Sequence, residues 1–134
     1  MSKKVETAKI CVCKDWMRSA CFGDISYEVE GKTYCIMHYP NQEKRVAFEK
    51  VLEQKKTEKD FNFLGVWFPS EVEFNDYTFE THARFASAIF TERVYFRRAN
   101  FLTADFSRVE FQKEALFDKS NFYISANFSF STFN

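Results

Sequence analysis

The sequence predicts a mainly β protein in which a repetitive solenoid follows a short leader bearing cysteine and histidine. Three observations predict it. A phenylalanine recurs every five or six residues from Phe63 to Phe133, a small or β-branched residue stands two positions before nearly every one of them, and all four cysteines lie within the first 35 residues. The period excludes simpler folds. A helix returns apolar residues at three and four and a plain strand at two, so a sustained five requires a chain that turns a corner after each short extended segment.

The repeated phenylalanines are residues 63, 68, 74, 79, 85, 90, 96, 101, 106, 111, 117, 122, 128 and 133, which account for 14 of the 18 in the chain. Residues two apart in an extended segment share a face. Each unit therefore points one large and one small side chain inward. Ala99-Asn100-Phe101, Ala104-Asp105-Phe106 and Ala126-Asn127-Phe128 carry the full pattern of small residue, Asn or Asp, then Phe.

On these residues the segment from about 61 to 134 resembles the pentapeptide-repeat family, whose tandem units carry a small residue two before a central Leu or Phe. The resemblance implies a right-handed quadrilateral β-helix, a solenoid of about 3.5 coils with four units per coil and the central residues stacked inside. Four units per coil sort the phenylalanines into columns 63/85/106/128, 68/90/111/133, 74/96/117 and 79/101/122. The six-residue intervals follow the second column at 68, 90 and 111 and the fourth at 79 and 122. The extra residues thus fall on two opposite corners, although two units per turn satisfies the same alternation.

The leader supplies Cys11, Cys13, Cys21, Cys35 and His38. In a chain without an export signal such a cluster points to metal binding more than to disulfides. Ile25 to Val29 alternates, Glu30-Gly31-Lys32 offers a turn and Thr33-Tyr34 resumes, so a hairpin carries Cys21 toward Cys35. Zinc takes four converging soft or borderline ligands, so four of the five suffice for a structural zinc site. Cys11 and Cys13, two apart, face the same way, and spacing does not choose between them. Some pentapeptide-repeat proteins are similar here too, with a Cys-rich leader ending in Tyr-Cys-x-x-His, matched by Tyr34 to His38.

After Pro40 a helix is expected, with Phe48, Val51 and Leu52 at helical spacing and Lys44, Arg45, Glu49, Lys50, Glu53, Lys55 and Lys56 as a solvated face. A solenoid's first coil presents strand edges and Phe to water, and this helix with the leader is placed to cover it. The organisation reads as 1–40, a zinc-finger-like module; 41–60, a capping helix; and 61–134, the repeat.

Composition narrows the function classes. The 19 basic and 19 acidic residues cancel. Neither half has the basic excess that draws a chain to nucleic acid, and the repeat lacks the acidity for DNA mimicry, a role the resemblance allows as regulation of a DNA-handling enzyme. No apolar run spans a bilayer and no signal-peptide core follows Met1, so the expected location is cytoplasmic, without membrane contact. Catalysis is not expected, since the repeat offers only His82, and its interior is filled with Phe. A protein-binding scaffold is the expected role. Its candidate surface is Trp67 beside Ile89 and Tyr95 beside Leu116, outward residues next to the buried Phe, while the last coil, ending at Asn134 in mid-unit, offers a site for a homodimer or the cut end of a longer array.

Overall fold

A computed structural model describes residues 3–5, 11–23 and 25–134. The leader forms a three-stranded antiparallel sheet in the order β1 (Lys3–Val5), β2 (Ser26–Val29) and β3 (Lys32–Cys35). Glu30 and Gly31 close the β2–β3 hairpin, both with positive φ, 50° and 79°. Such a two-residue turn matches the strand twist. The strand β1 was not expected, because three residues carry no period.

Helix α1 (Arg45–Glu58) follows a short 3-10 turn over Gln42–Lys44. The Asn41 side chain accepts the Glu43 N–H at 2.8 Å, satisfying one of the free donors at the start, and Lys59 ends the helix in a left-handed conformation.

The repeat region is a β-solenoid. Its first coil carries β4 (Trp67–Phe68), β5 (Val72–Glu73) and β6 (Thr78–Arg84); the second β7 (Ile89–Phe90), β8 (Val94–Tyr95) and β9 (Asn100–Asp105); the third β10 (Glu110–Phe111), β11 (Ala115–Leu116) and β12 (Asn121–Asn127); and β13 (Thr132–Phe133) opens a fourth. Equivalent strands pair in parallel as three sheets, β4-β7-β10-β13, β5-β8-β11 and β6-β9-β12. The last sheet bends round a corner and so forms two of four sides.

The four phenylalanine columns stand as the spacing arranges them. Rings one coil apart lie face to face, with centroids 4.4 to 5.4 Å apart and planes within 3° to 11°. Strand spacing of about 4.8 Å sets this repeat. Across each coil the first and third columns meet edge to face, as Phe85 and Phe96 do at 5.7 Å and 83°. Both arrangements suit the aromatic quadrupole. The small partners Val66, Ala83, Ala88, Val94, Ala99 and Val109 are buried between them.

The corners come in two kinds. After columns one and three the residue two beyond each Phe has positive φ: Gly65, Asp76, Ser87, Arg98, Arg108, Lys119 and Phe130. The N–H three beyond the Phe returns to its carbonyl, as Ala99 does to Phe96 at 3.1 Å. These are tight β-turns. Asn62, Asp105 and Asn127, each just before a column-one Phe, accept the N–H two residues on, which explains the Asn or Asp at those column-one positions. After column two, and after Phe79 and Phe122 in column four, the chain takes its extra residue instead; in the fourth column it is a register shift between Phe79 and His82 and between Phe122 and Ser125, against the plain five after Phe101.

The first coil is closed by the leader and α1, in a way that overturns one expectation. Lys44 and Lys55, placed on the solvated face, are fully buried, at 0% and 1% exposure. The Lys44 ammonium donates to the Ile36 carbonyl at 2.6 Å and the Met37 carbonyl at 3.2 Å and lies over the rings of Phe48 and Trp67. Lys55 donates to the Asn62 carbonyl, pairs with Asp60 at 3.2 Å and lies over Phe22 and Phe63. Lys56, half-buried, covers Phe74. Ring faces attract cations and the aliphatic stems cover apolar surface, so lysines here act as lids on the columns. Phe48 meets Phe68 edge to face at 5.6 Å.

Burial lowers the Lys44 pKa from 10.5 to about 7, with the Cys35 and Cys11 sulfurs opposing the fall. Between those two values the unfolded chain binds a proton that the folded chain does not, so stability rises with pH across that window. Below pH 7 both states are protonated and the whole burial cost is felt. Urea midpoints of wild type and Lys44→Met should therefore diverge toward acid, the wild type losing ground at up to about 1.4 kcal/mol per pH unit between 10 and 7. Parallel curves would contradict this.

Candidate metal centre

Four pieces of the leader converge on one point. The Val12 N–H donates to the Thr33 carbonyl at 2.8 Å, which pins Cys11 against the end of the hairpin. A short 3-10 helix, Asp15–Ala20, then reverses the chain and delivers Cys21. Arg18, ion-paired with Asp15, donates to the Cys11 carbonyl at 2.8 Å and the Cys13 carbonyl at 3.4 Å, fixing the start of this loop. Cys35 ends β3, and a turn closed by the His38 N–H on the Cys35 carbonyl at 3.2 Å brings His38 back over it.

The ligand atoms of Cys11, Cys21, Cys35 and His38 all lie within 4.8 Å of one another. His38 Nδ1 is 3.9, 3.6 and 3.1 Å from the Sγ atoms of Cys11, Cys21 and Cys35. A tetrahedron with zinc–sulfur bonds near 2.3 Å and a zinc–nitrogen bond near 2.0 Å has edges of about 3.5 to 3.8 Å, so the set fits such an ion. The donor chemistry fits too. His38 Nε2–H donates to the Leu64 carbonyl at 2.8 Å, which leaves the Nδ1 lone pair facing the sulfurs. This cluster can hold a metal ion such as zinc.

Of the five leader residues singled out by the sequence, Cys13 stays outside this group. Its Sγ lies 3.7 Å from that of Cys21. Cys11 is buried and Cys13 half-buried, a choice made by the Val12–Thr33 bond between distant segments and hence invisible in the spacing.

Hydrogen bonds from Cys21 and Cys35 pull the Cys11 thiol far down, and the same bond to Cys11 holds the Cys21 thiol up. Burial pushes Cys13 up to about 11. Burial would lower His38, but the hydrogen bonds to Cys11 and Cys35 outweigh it and carry it up to about 9. A metal must displace these protons, so its affinity falls as pH falls.

The centre is tied to the solenoid at two points. One is the His38–Leu64 bond. The other is Gly65, whose missing side chain makes room for Met17: a Cβ there would overlap the Met17 Sδ and stand 2.8 Å from its methyl group. Gly65→Ala should cost about 1 to 3 kcal/mol, because alanine is strained at the left-handed φ of 67° and because its Cβ would drive Met17 from its seat. In thermal denaturation, adding Met17→Ala should return the share of that loss due to the overlap, and strictly additive losses would refute the contact. Leu64, Met17 and Lys44 carried no sequence signal for these roles, as each acts through a tertiary contact.

The candidate partner residues divide between two sides of the coil. Trp67 pairs with Ile89 on the first sheet and Tyr95 with Leu116 on the second, all four half-buried. Fully exposed apolar side chains lie elsewhere, notably Tyr123 and Ile124 on β12 and Phe130 in the last coil. His82 is exposed and hydrogen-bonded through Nδ1 to Thr103 Oγ1 at 2.6 Å. No helix among the described residues is long and apolar enough to cross a membrane. Against family models, curated proteins and solved structures, the chain finds no match.

Proposed function

We propose that the chain is a non-enzymatic protein-interaction scaffold of the pentapeptide-repeat type, working in the cytoplasm, with an N-terminal cap held by one structural zinc ion. The observation that carries the zinc is the Cys11, Cys21, Cys35 and His38 tetrad, with its histidine oriented by Leu64. Three thiolates and one neutral imidazole would leave a zinc site with a net charge of −1. The repeat supports the scaffold reading. Its interior is filled by rings, so recognition falls to the outer faces, and the proposed partner surface is the pair of half-buried ladders Trp67–Ile89 and Tyr95–Leu116.

Duplex mimicry, the other role the resemblance allows, needs a stripe of carboxylates. On the outer surface Arg93 pairs with Glu114, Arg97 with Asp118 and Arg98 with Asp76, so charge alternates in sign. Elemental analysis of protein purified under reducing conditions should give one zinc per chain, and Cys35→Ser should abolish it. A wild-type chain that takes up no zinc would remove the cap's metal. For the scaffold role, Trp67→Ser with Tyr95→Ser should reduce capture of cellular partners, and unchanged capture would remove that surface.

A further inference from the structure

Cys13 is a fifth thiol beside a four-ligand site. Its Sγ lies 3.7 Å from that of Cys21, whereas a disulfide needs about 2.05 Å, so the two sulfurs are less than about 2 Å short of bonding. Access differs sharply within the cluster. Cys11 and Cys35 are buried, whereas Cys13 and Cys21 are half-exposed. Cys13 also lines a cavity of about 210 Å³ with Lys14, Met17, Tyr34 and His38, ample for a small hydroperoxide.

We propose that Cys13 is an oxidation site: a hydroperoxide converts it to a disulfide with Cys21 and so strips one ligand from the metal. This rests on the zinc reading above. The chemistry balances in two steps. The Cys21 thiolate, the half-exposed ligand, attacks the peroxide, the O–O bond breaks, Cys21 becomes a sulfenic acid, and the displaced hydroxide takes up a proton and leaves as water. The Cys13 sulfur then attacks the Cys21 sulfur, the S–O bond breaks, and the departing hydroxide takes the Cys13 proton and leaves as a second water. Two sulfurs are oxidised by one peroxide, which is reduced.

The consequences follow from what the bond spans. Cys13 and Cys21 bracket the 3-10 helix that carries Arg18 and Met17. Zinc is left with Cys11, Cys35 and His38, a weaker set. Met17, on the same loop, is drawn from its seat on Gly65, so oxidation loosens the cap from the first coil. A thiol reductant reverses the disulfide.

The test uses the zinc-loaded full chain, hydrogen peroxide and a chromogenic zinc chelator. Wild type should release zinc faster than Cys13→Ser by about tenfold or more, because Cys13, 3.7 Å away, traps the oxidised Cys21 as a disulfide and keeps it from returning to the metal. Cys13→Ser should hold the same amount of zinc before oxidation, and peptide mapping of oxidised wild type should show a Cys13–Cys21 cross-link that dithiothreitol removes. Equal release rates, a cross-link that omits Cys13, or reduced zinc in Cys13→Ser would each overturn the inference. A chain that binds no zinc at all would overturn the proposed metal instead. The cross-link alone then decides for or against Cys13.

Discussion

Chelation of zinc is expected to unfold the segment from about residue 11 to 39 and to leave the solenoid coiled. Among its described residues the leader has little core of its own: Ala20, Ile36, Met37 and Tyr39 are the main buried apolar side chains beyond the cysteines. Four pieces of chain converge on the Cys11, Cys21, Cys35 and His38 cluster, where with no ion three sulfurs and a raised histidine crowd one spot. Structural zinc sites of this ligand class contribute an apparent binding energy of about 10 to 16 kcal/mol at neutral pH, more than such a small module can replace. The repeat, by contrast, keeps its own ring columns. Hydrogen exchange should show protection lost over the leader and retained in β7 to β10. Limited proteolysis should open Lys14, Arg18 and Lys32. Acid should do the same as the chelator, because protons compete for the thiolates and for His38. Full protection of the leader in metal-free protein would show that the ion is not structural.

Phe85→Ala is expected to be among the most damaging single changes in the solenoid, costing about 4 to 5 kcal/mol. The Phe85 ring meets seven others: Phe63, Phe68, Phe74, Phe79, Phe90, Phe96 and Phe106. It is fully buried, and the parallel ladders on either side cannot collapse to fill the hole because strand spacing holds the backbone apart. Phe133→Ala makes the contrast. That ring stacks on Phe111 at 4.7 Å but is 58% exposed, so its removal should cost about 1 kcal/mol. Denaturant titration of the two variants measures the difference, and comparable losses would mean that the columns do not share load as their contacts indicate. Because each coil touches only its neighbours, the Phe85 variant should also lose cooperativity, with the third coil outlasting the first two.

The ring columns and the two corner types were legible in the sequence because they are local: a period of five with its sixes is a property of consecutive residues. The hairpin was legible for the same reason, from Glu30-Gly31 between alternating runs. The Cys/His cluster was legible as four of five candidate residues. What decides between Cys11 and Cys13 is a bond from Val12 to Thr33, 21 residues away, and no spacing encodes that. Lys44 in the 3-10 turn and Lys55 in α1 were misread for a related reason. Their sequence neighbours are charged, so both look solvated, yet the surface they meet is aromatic and belongs to Phe22, Phe48, Phe63 and Trp67. Charge pattern along a helix says which side chains can reach water, and the ring faces of the first coil offered the ammonium groups another partner.

The identical contents of every coil make length an independent variable. Each turn of 21 or 22 residues presents the same four rings above and below, so a whole turn can be excised or duplicated with Phe still meeting Phe in every column. The distance from the metal module to the final edge therefore changes in fixed steps of about 4.8 Å, the separation of neighbouring strands. A chain built this way is graduated like a ruler, and evolution or a designer can move its two ends apart one division at a time without re-solving the packing inside.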